Sequence, residues 1–143
     1  MARAKRQQKS KGSSGFNRKN SEDFLQKNSL KQGVVTTETG LQYLVIEEGA
    51  GDAPGEADVV EVQQRISLVD GTVISDTYKK SETAKFSLQE AIEGYREGLL
   101  MMSAGSRYRF FIHPDLAWGK RGAGKRIGPN AALIIDARLL EVL

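Results

Sequence analysis

Residues 58–78 read DVVEVQQRISLVDGTVISDTY, and the spacing of their apolar side chains decides the fold class. Val60, Val62, Ile66 and Leu68 stand at every second position, so they share one face of an extended strand. Asp70-Gly71 then separates two runs of strand formers, as the turn of a tight hairpin requires. One position interrupts the apolar face, because Gln64 falls on it. A polar side chain there needs either a hydrogen-bond partner or an opening.

Downstream, SLQEAIEGYREGLLMM (87–102) changes the period from two to 3.6. Ser87 and Glu90 have the spacing of a capping box, and Leu88, Ile92, Tyr95, Leu99 and Met102 form one stripe. The pattern predicts an amphipathic helical segment, broken or kinked around Gly94. Two more strands follow, SRYRFFIH with Tyr108, Phe110 and Ile112 inward, and ALIIDARLLEVL at the end of the chain. Upstream lie the strand-like GLQYLVI and a Gly- and Pro-containing loop, EEGAGDAPGEAD. About five strands and one short helix predict an α+β fold in which a sheet wraps the helix.

At 143 residues, with 39% hydrophobic and 27% charged residues, the chain has the composition of one globular domain. The absence of cysteine excludes disulfides and thiolate chemistry, and a single histidine, His113, excludes a multi-histidine metal site. His113 reads as an incidental strand-end residue. No apolar run is long enough to span a membrane, and the start lacks a signal-peptide core, so a cytoplasmic location is expected. The net charge of +3 conceals an asymmetry. Residues 1–20 carry seven Lys or Arg and no acid, whereas the rest carries 14 bases against 18 acids. Residues 1–20 are expected to be a disordered basic tail, serving either as a solubilising end or as a non-specific contact to RNA. A short helix is expected over residues 21–33, capped by Asn20 or Ser21 and stopped at Gly33. Phe24 and Leu25 would dock it on the body, leaving too little apolar surface for an obligate dimer, so a monomer is expected.

The stretch AWGKRGAGKRIGPN (117–130) comes within one residue of a phosphate-binding loop, since Arg126 replaces the final hydroxyl residue. Such a loop must feed a helix, and Pro129 leaves no room for one after Arg126. The match is therefore a coincidence of glycines and lysines. Lys120, Arg121, Lys125 and Arg126 read as a solvated rim.

TTETGLQYLVIEEG, DGTVISDTY, EGYREGLLMMSAGSRYRFFIHPDLAWGKRGAG and IGPNAALIIDARLLEV, in this order, resemble the FKBP-type peptidyl-prolyl isomerases. The resemblance covers residues 34–143 and implies a half-open antiparallel sheet wrapped around one short α-helix. It also implies rotation about X-Pro bonds in proline-containing peptide or protein clients, with no cofactor and no metal. Carried over by motif, the substrate pocket would be Phe86, Ile92, Tyr95, Trp118 and Ile127, with the backbone N–H of Ile92 meeting a ligand carbonyl.

Five pocket positions depart from the family pattern. Gln64 stands for a Tyr, Ile74 and Ser75 for Phe-Asp, Ala91 for a Val and Ile135 for a Phe. Asp76 comes one place too late and so points to the other side of its strand. The resemblance thus implies a wider, less aromatic pocket, with lowered isomerase activity and weak affinity for the family's macrolide ligands. A catalytically silent, peptide-binding module is the alternative. Phe86 and Tyr95 also fit plain core packing, which Trp118 in a loop does not.

Overall fold

The computed structural model describes residues 13–143. Its frame is one antiparallel sheet with strands β1 (Val35–Thr36), β2 (Gln42–Glu47), β3 (Val59–Leu68), β4 (Val73–Asp76), β5 (Ala84–Ser87), β6 (Arg107–Ile112) and β7 (Leu133–Val142). Strand order is β1-β2-β6-β7-β3-β4, with β5 also paired to β3. The long β3 therefore has β7 along one edge and two short strands along the other: β5 beside Val59–Val62, and β4 beside Arg65–Ser67. Between those two strands the edge is open at Gln63 and Gln64. A helical turn, α2 (Thr77–Lys80), fills this gap, where the Thr77 hydroxyl accepts from the Gln64 N–H at 2.9 Å and donates to the Gln64 carbonyl.

The inner face carries the main core. Val60, Val62, Phe110, Ile112, Leu133, Ile135 and Leu139 are buried against Leu88, Tyr95, Leu99 and Met102. The last three lie on or just past α3 (Glu93–Leu100), the single helix inside the curve of the sheet. Close approach of α3 to the sheet is set by glycine: a Cβ on Gly98 would sit 2.4 Å from the Phe110 ring. The hairpin at Asp70-Gly71 forms as expected, with Gly71 at φ 93°, a conformation open to glycine and strained for other residues.

The N-terminal helix corrects the expectation. It runs over Ser14–Asn28 (α1), capped by the Ser13 side chain on Phe16 N–H, and not over 21–33. Residues 14–20 are thus helical and docked, although they contribute almost no apolar surface. They are held by polar contacts to residues more than ninety positions away, which composition does not reveal. The remaining part of the expected tail, residues 1–12, lies outside the described residues. Leu25 is buried on the outer face of the sheet with Phe111 and Ala132, and Phe24 packs beside them. Burying one such leucine is worth about 1.5–3 kcal/mol, so the docking is apolar at one end of the helix and polar at the other.

Candidate functional site

The segment 87–102 breaks, but not at Gly94. Ser87 and Glu90 form the expected capping box on a single 3-10 turn, Leu88–Glu90. The chain is then extended at Ala91 and Ile92 before α3 begins at Glu93. Gly94 lies within α3, where a Cβ would meet Ile112 at 2.7 Å, so its role is packing. The consequence of the break is chemical. Ile92 is the N-cap of α3, and among the described residues its own N–H has no protein acceptor. Its side chain is half-buried against the core, so a free donor stands beside an apolar surface.

Tyr95, 5% exposed, forms the floor. Its ring packs against Phe86 at 5.7 Å and Phe110 at 6.1 Å between centroids. Burial pushes its phenol well above the usual range, so it stays neutral. The hydroxyl donates to Oε1 of Gln64 at 2.7 Å. The interruption on β3 thus has its partner, while the Gln64 NH2 group has none among the described residues. Phe86, Ala91, Ile92 and Ile74 are half-buried against the core cluster that holds Tyr95, and Ile127 and Ile135 are buried in that cluster, Ile135 at 1% exposure.

On the opposite wall, Ile66 pairs with Ser75 and Ser67 with Val73, which leaves Ile74 as a bulge. Ser75 shares the inner face of its partner Ile66. Asp76, opposite Arg65, turns outward: it caps α2 by accepting from Lys79 N–H and lies 3.8 Å from Arg65. No carboxylate replaces the missing one on this wall. The edge carbonyls of β4 are covered instead by Arg126, whose guanidinium donates to Val73 O and, at 3.0 Å, to Ile74 O.

Arg126 belongs to the connection between β6 and β7, which these bonds tie to β4. Its glycine-rich part folds as a 3-10 turn, Gly119–Arg121, and a tight turn bridged from Ala123 to Ile127; no helix follows, so it does not build a phosphate cradle. Trp118 stands on this loop at 45% exposure. Ile127, on the same loop, is buried in the core.

Both ends of the loop are fastened to α1. At its start, Arg18 makes a bidentate pair with Asp115, holding that carboxyl below its usual range. His113 caps the turn through Nδ1, which accepts from Asp115 N–H, and its Nε2 lies 3.5 Å from Glu22. At the far end, Asn17 donates to Pro129 O, and Asn130 donates to Ser14. Buried Ser21 donates to Asn130 O and accepts from Ala132 N–H, both at 2.9 Å. Sequence reasoning missed this clamp, and His113 is part of it. Its one local trace is the Pro129-Asn130 pair, with Asn130 at φ 55°.

A second polar cluster and a cavity lie on the other face of the sheet. Asp136 accepts from Arg107 and Arg109 and from the Tyr78 hydroxyl. Burial alone would raise its pKa, but the two guanidinium groups together hold it below the usual value. Tyr78 is pushed up to about 12, by burial first and then by Asp136. A cavity of about 470 Å³ opens there, lined by Phe24, Leu44, Arg65, Arg109, Phe111 and Asp136. It shares no residue with the Tyr95 floor, and alternation along β6 and β7 puts it on the opposite side. Among the described residues no cluster of His, Asp or Glu could hold a metal, and no helix is long and apolar enough to cross a membrane.

The profile of the family described as FKBP-type peptidyl-prolyl cis-trans isomerase matches residues 51–140. That of the domain amino terminal to FKBP-type peptidyl-prolyl isomerase matches residues 1–45. Similar proteins include the outer membrane protein MIP of Legionella longbeachae, 41% identical over 92% of this chain and 59% of that protein. Among solved structures, FkpA from Escherichia coli superposes with a TM-score of 0.86 at 36% identity, over 90% of this chain and 60% of that one. A peptidyl-prolyl cis-trans isomerase from Pseudomonas syringae gives 0.84 at 27% identity, over 92% and 96%. The chain spans about half to three-fifths of the length of the curated relatives it matches. It belongs to the FKBP-type peptidyl-prolyl cis-trans isomerase family.

Proposed function

We propose that this member of the FKBP-type family accelerates cis/trans rotation about X-Pro bonds in peptide and protein clients, at the pocket between Tyr95 and the Trp118 loop. The observation that carries the reading is the unpaired N–H of Ile92 at the edge of an apolar floor formed by Tyr95 and Phe86. Rotation faces a barrier of about 18–20 kcal/mol and breaks amide resonance without making a bond to any heavy atom. The twisted amide has a smaller carbonyl dipole than the planar one. A pocket that strips water from it therefore favours the twisted form. The Ile92 N–H supplies one directional contact that holds a neighbouring client carbonyl in place, and Trp118 covers the proline ring from above. Each ~1.4 kcal/mol of such preference is a tenfold rate.

The substituted wall sets the rate. Gln64 and Ser75 place neutral polar groups where an aromatic ring and a carboxylate would tighten the site, so the activity is lower than in a pocket with the common residues, and macrolide binding is weak. A protease-coupled assay tests this: the protein is expected to accelerate isomerisation of a proline peptide, and Trp118→Ala to lower that acceleration several-fold with the fold intact. Activity equal to buffer at high protein concentration would leave a peptide-binding module as the function.

A further inference from the structure

We propose that the pocket selects prolines flanked by an acidic residue, and that the cationic loop around Trp118, with Arg126 at the pocket mouth, does the selecting. The inference rests on the isomerase reading above. Between Trp118 and Ile127 the chain carries Lys120, Arg121, Lys125 and Arg126 and no acid. All four are exposed, and none forms an ion pair with another described residue. Arg126 is fixed in place by the carbonyls of Val73 and Ile74, which are neutral and leave its charge uncompensated. Ile74 belongs to the pocket wall, and Ile127, the next residue along, is buried in the core cluster that holds Tyr95. The guanidinium therefore bridges the two sides of the entrance.

The pocket itself does not cancel this charge. Its polar groups, the Gln64 amide, the Tyr95 phenol and the Ser75 hydroxyl, are neutral. Among the acids adjacent to it in sequence, three are paired with cations elsewhere: Asp76 with Arg65, Asp136 with two arginines, and Asp115 with Arg18. Glu90, bonded to the neutral Ser87 N–H, and Glu93, exposed in the first turn of α3, are two carboxylates against four cations. Charges of one sign around a cleft with apolar walls concentrate the field inside it. That field attracts a carboxylate beside the proline and repels an ammonium or guanidinium there.

Exchange rates measured by NMR on matched peptides test the assignment. Glu, Ala or Lys is placed immediately before the proline in one set and immediately after it in another. In at least one set, at low salt, kcat/KM for the Glu peptide is expected to exceed that for the Lys peptide about five-fold, the scale of a few exposed charge pairs. The ratio should shrink toward one at high salt. It should also shrink in a Lys120→Gln, Lys125→Gln, Arg126→Gln variant, and being a ratio it is insensitive to a general loss of activity. Catalysis of the Ala peptide with Glu and Lys peptides within a factor of about two in both sets would overturn the proposal and leave the isomerase reading standing. An undiminished ratio at high salt would overturn it as well, since charge would not be the cause. No catalysis of any peptide would remove the isomerase reading, and this inference with it.

Discussion

Replacing Ser21 with alanine tests whether α1 holds the loop that carries Trp118. Ser21 is 2% exposed, and its hydroxyl makes two bonds to the loop's far end, to Asn130 O and from Ala132 N–H. Alanine nearly preserves the volume and removes both partners. A buried backbone group left unpaired costs about 1–3 kcal/mol, so the pair costs roughly 2–4 kcal/mol when some local relaxation is allowed. With a urea slope of roughly 1–3 kcal/mol/M for a domain of this size, the midpoint should fall by about 1–2 M. Trp118 is the single tryptophan and sits on the loop in question, so its emission reports the loop directly. Ser21→Ala should shift that emission toward the solvent-exposed form at lower urea than the far-UV circular dichroism changes, whereas Ser21→Thr should restore the coincidence. A midpoint within about 0.2 M of the parent, with the two probes coinciding, would refute the clamp.

Four further outcomes follow from the same geometry. Gln64→Tyr with Ile74→Phe and Ser75→Asp should raise both isomerase activity and macrolide affinity, with non-additive effects because Ile74 and Ser75 adjoin and all three line one pocket; no gain in the folded variant would show that this wall does not limit the rate. Stability should be flat near neutrality and fall at both extremes. The Asp136 pKa lies below its unfolded value, so its contribution is lost as pH falls through the acid range; those of Tyr78 and Tyr95 lie above theirs, so their contributions fade as pH rises from about 10. Tyr78→Phe should flatten part of the alkaline limb in pH-dependent melting. Deleting residues 1–12 removes five of the cations and should reduce salt-sensitive RNA binding; deleting 1–20 should in addition lower the melting temperature, because Asn17 and Arg18 go with it. Sedimentation should give a monomer mass for this chain, since Leu25 is covered by its own sheet and Phe24 packs beside Phe111; a stable dimer would contradict this.

The elements legible in sequence were those written in short-range periodicity. Alternation around Gln64 placed β3, Asp70-Gly71 placed the hairpin, and the capping box placed the turn before Ile92. Asp76 pointing outward followed from its standing one place later than the carboxylate of the family pattern, combined with strand parity. What remained hidden depends on partners distant in the chain. The helicity of 14–20 comes from Asn17, Arg18 and Ser21 reaching residues 115–132, which no local pattern encodes. Helical periodicity runs unbroken across Ala91 and Ile92, so it misplaced the break at Gly94. Arg126 read as solvated rim, although it covers the free edge of a bulged strand. The Gln64–Tyr95 bond lies between these cases: the need for a partner was visible, and the identity of that partner was not.

The central claim is tested most directly at Ile92. Its φ of −61°, the extended backbone of Ala91 before it and the unpaired N–H together accept proline without strain or a lost protein bond. Ile92→Pro therefore removes the donor together with the isoleucine side chain, and Ile92→Ala controls for the side chain. Catalysed X-Pro exchange, followed by NMR line shape on an Ala-Pro peptide, should be clear for the parent, lower for Ile92→Ala and about tenfold lower again for Ile92→Pro, with the melting temperature of the proline variant no lower than that of the alanine one. Equal rates for the two variants, or proline-peptide exchange no faster than in buffer with the parent protein, would contradict the account.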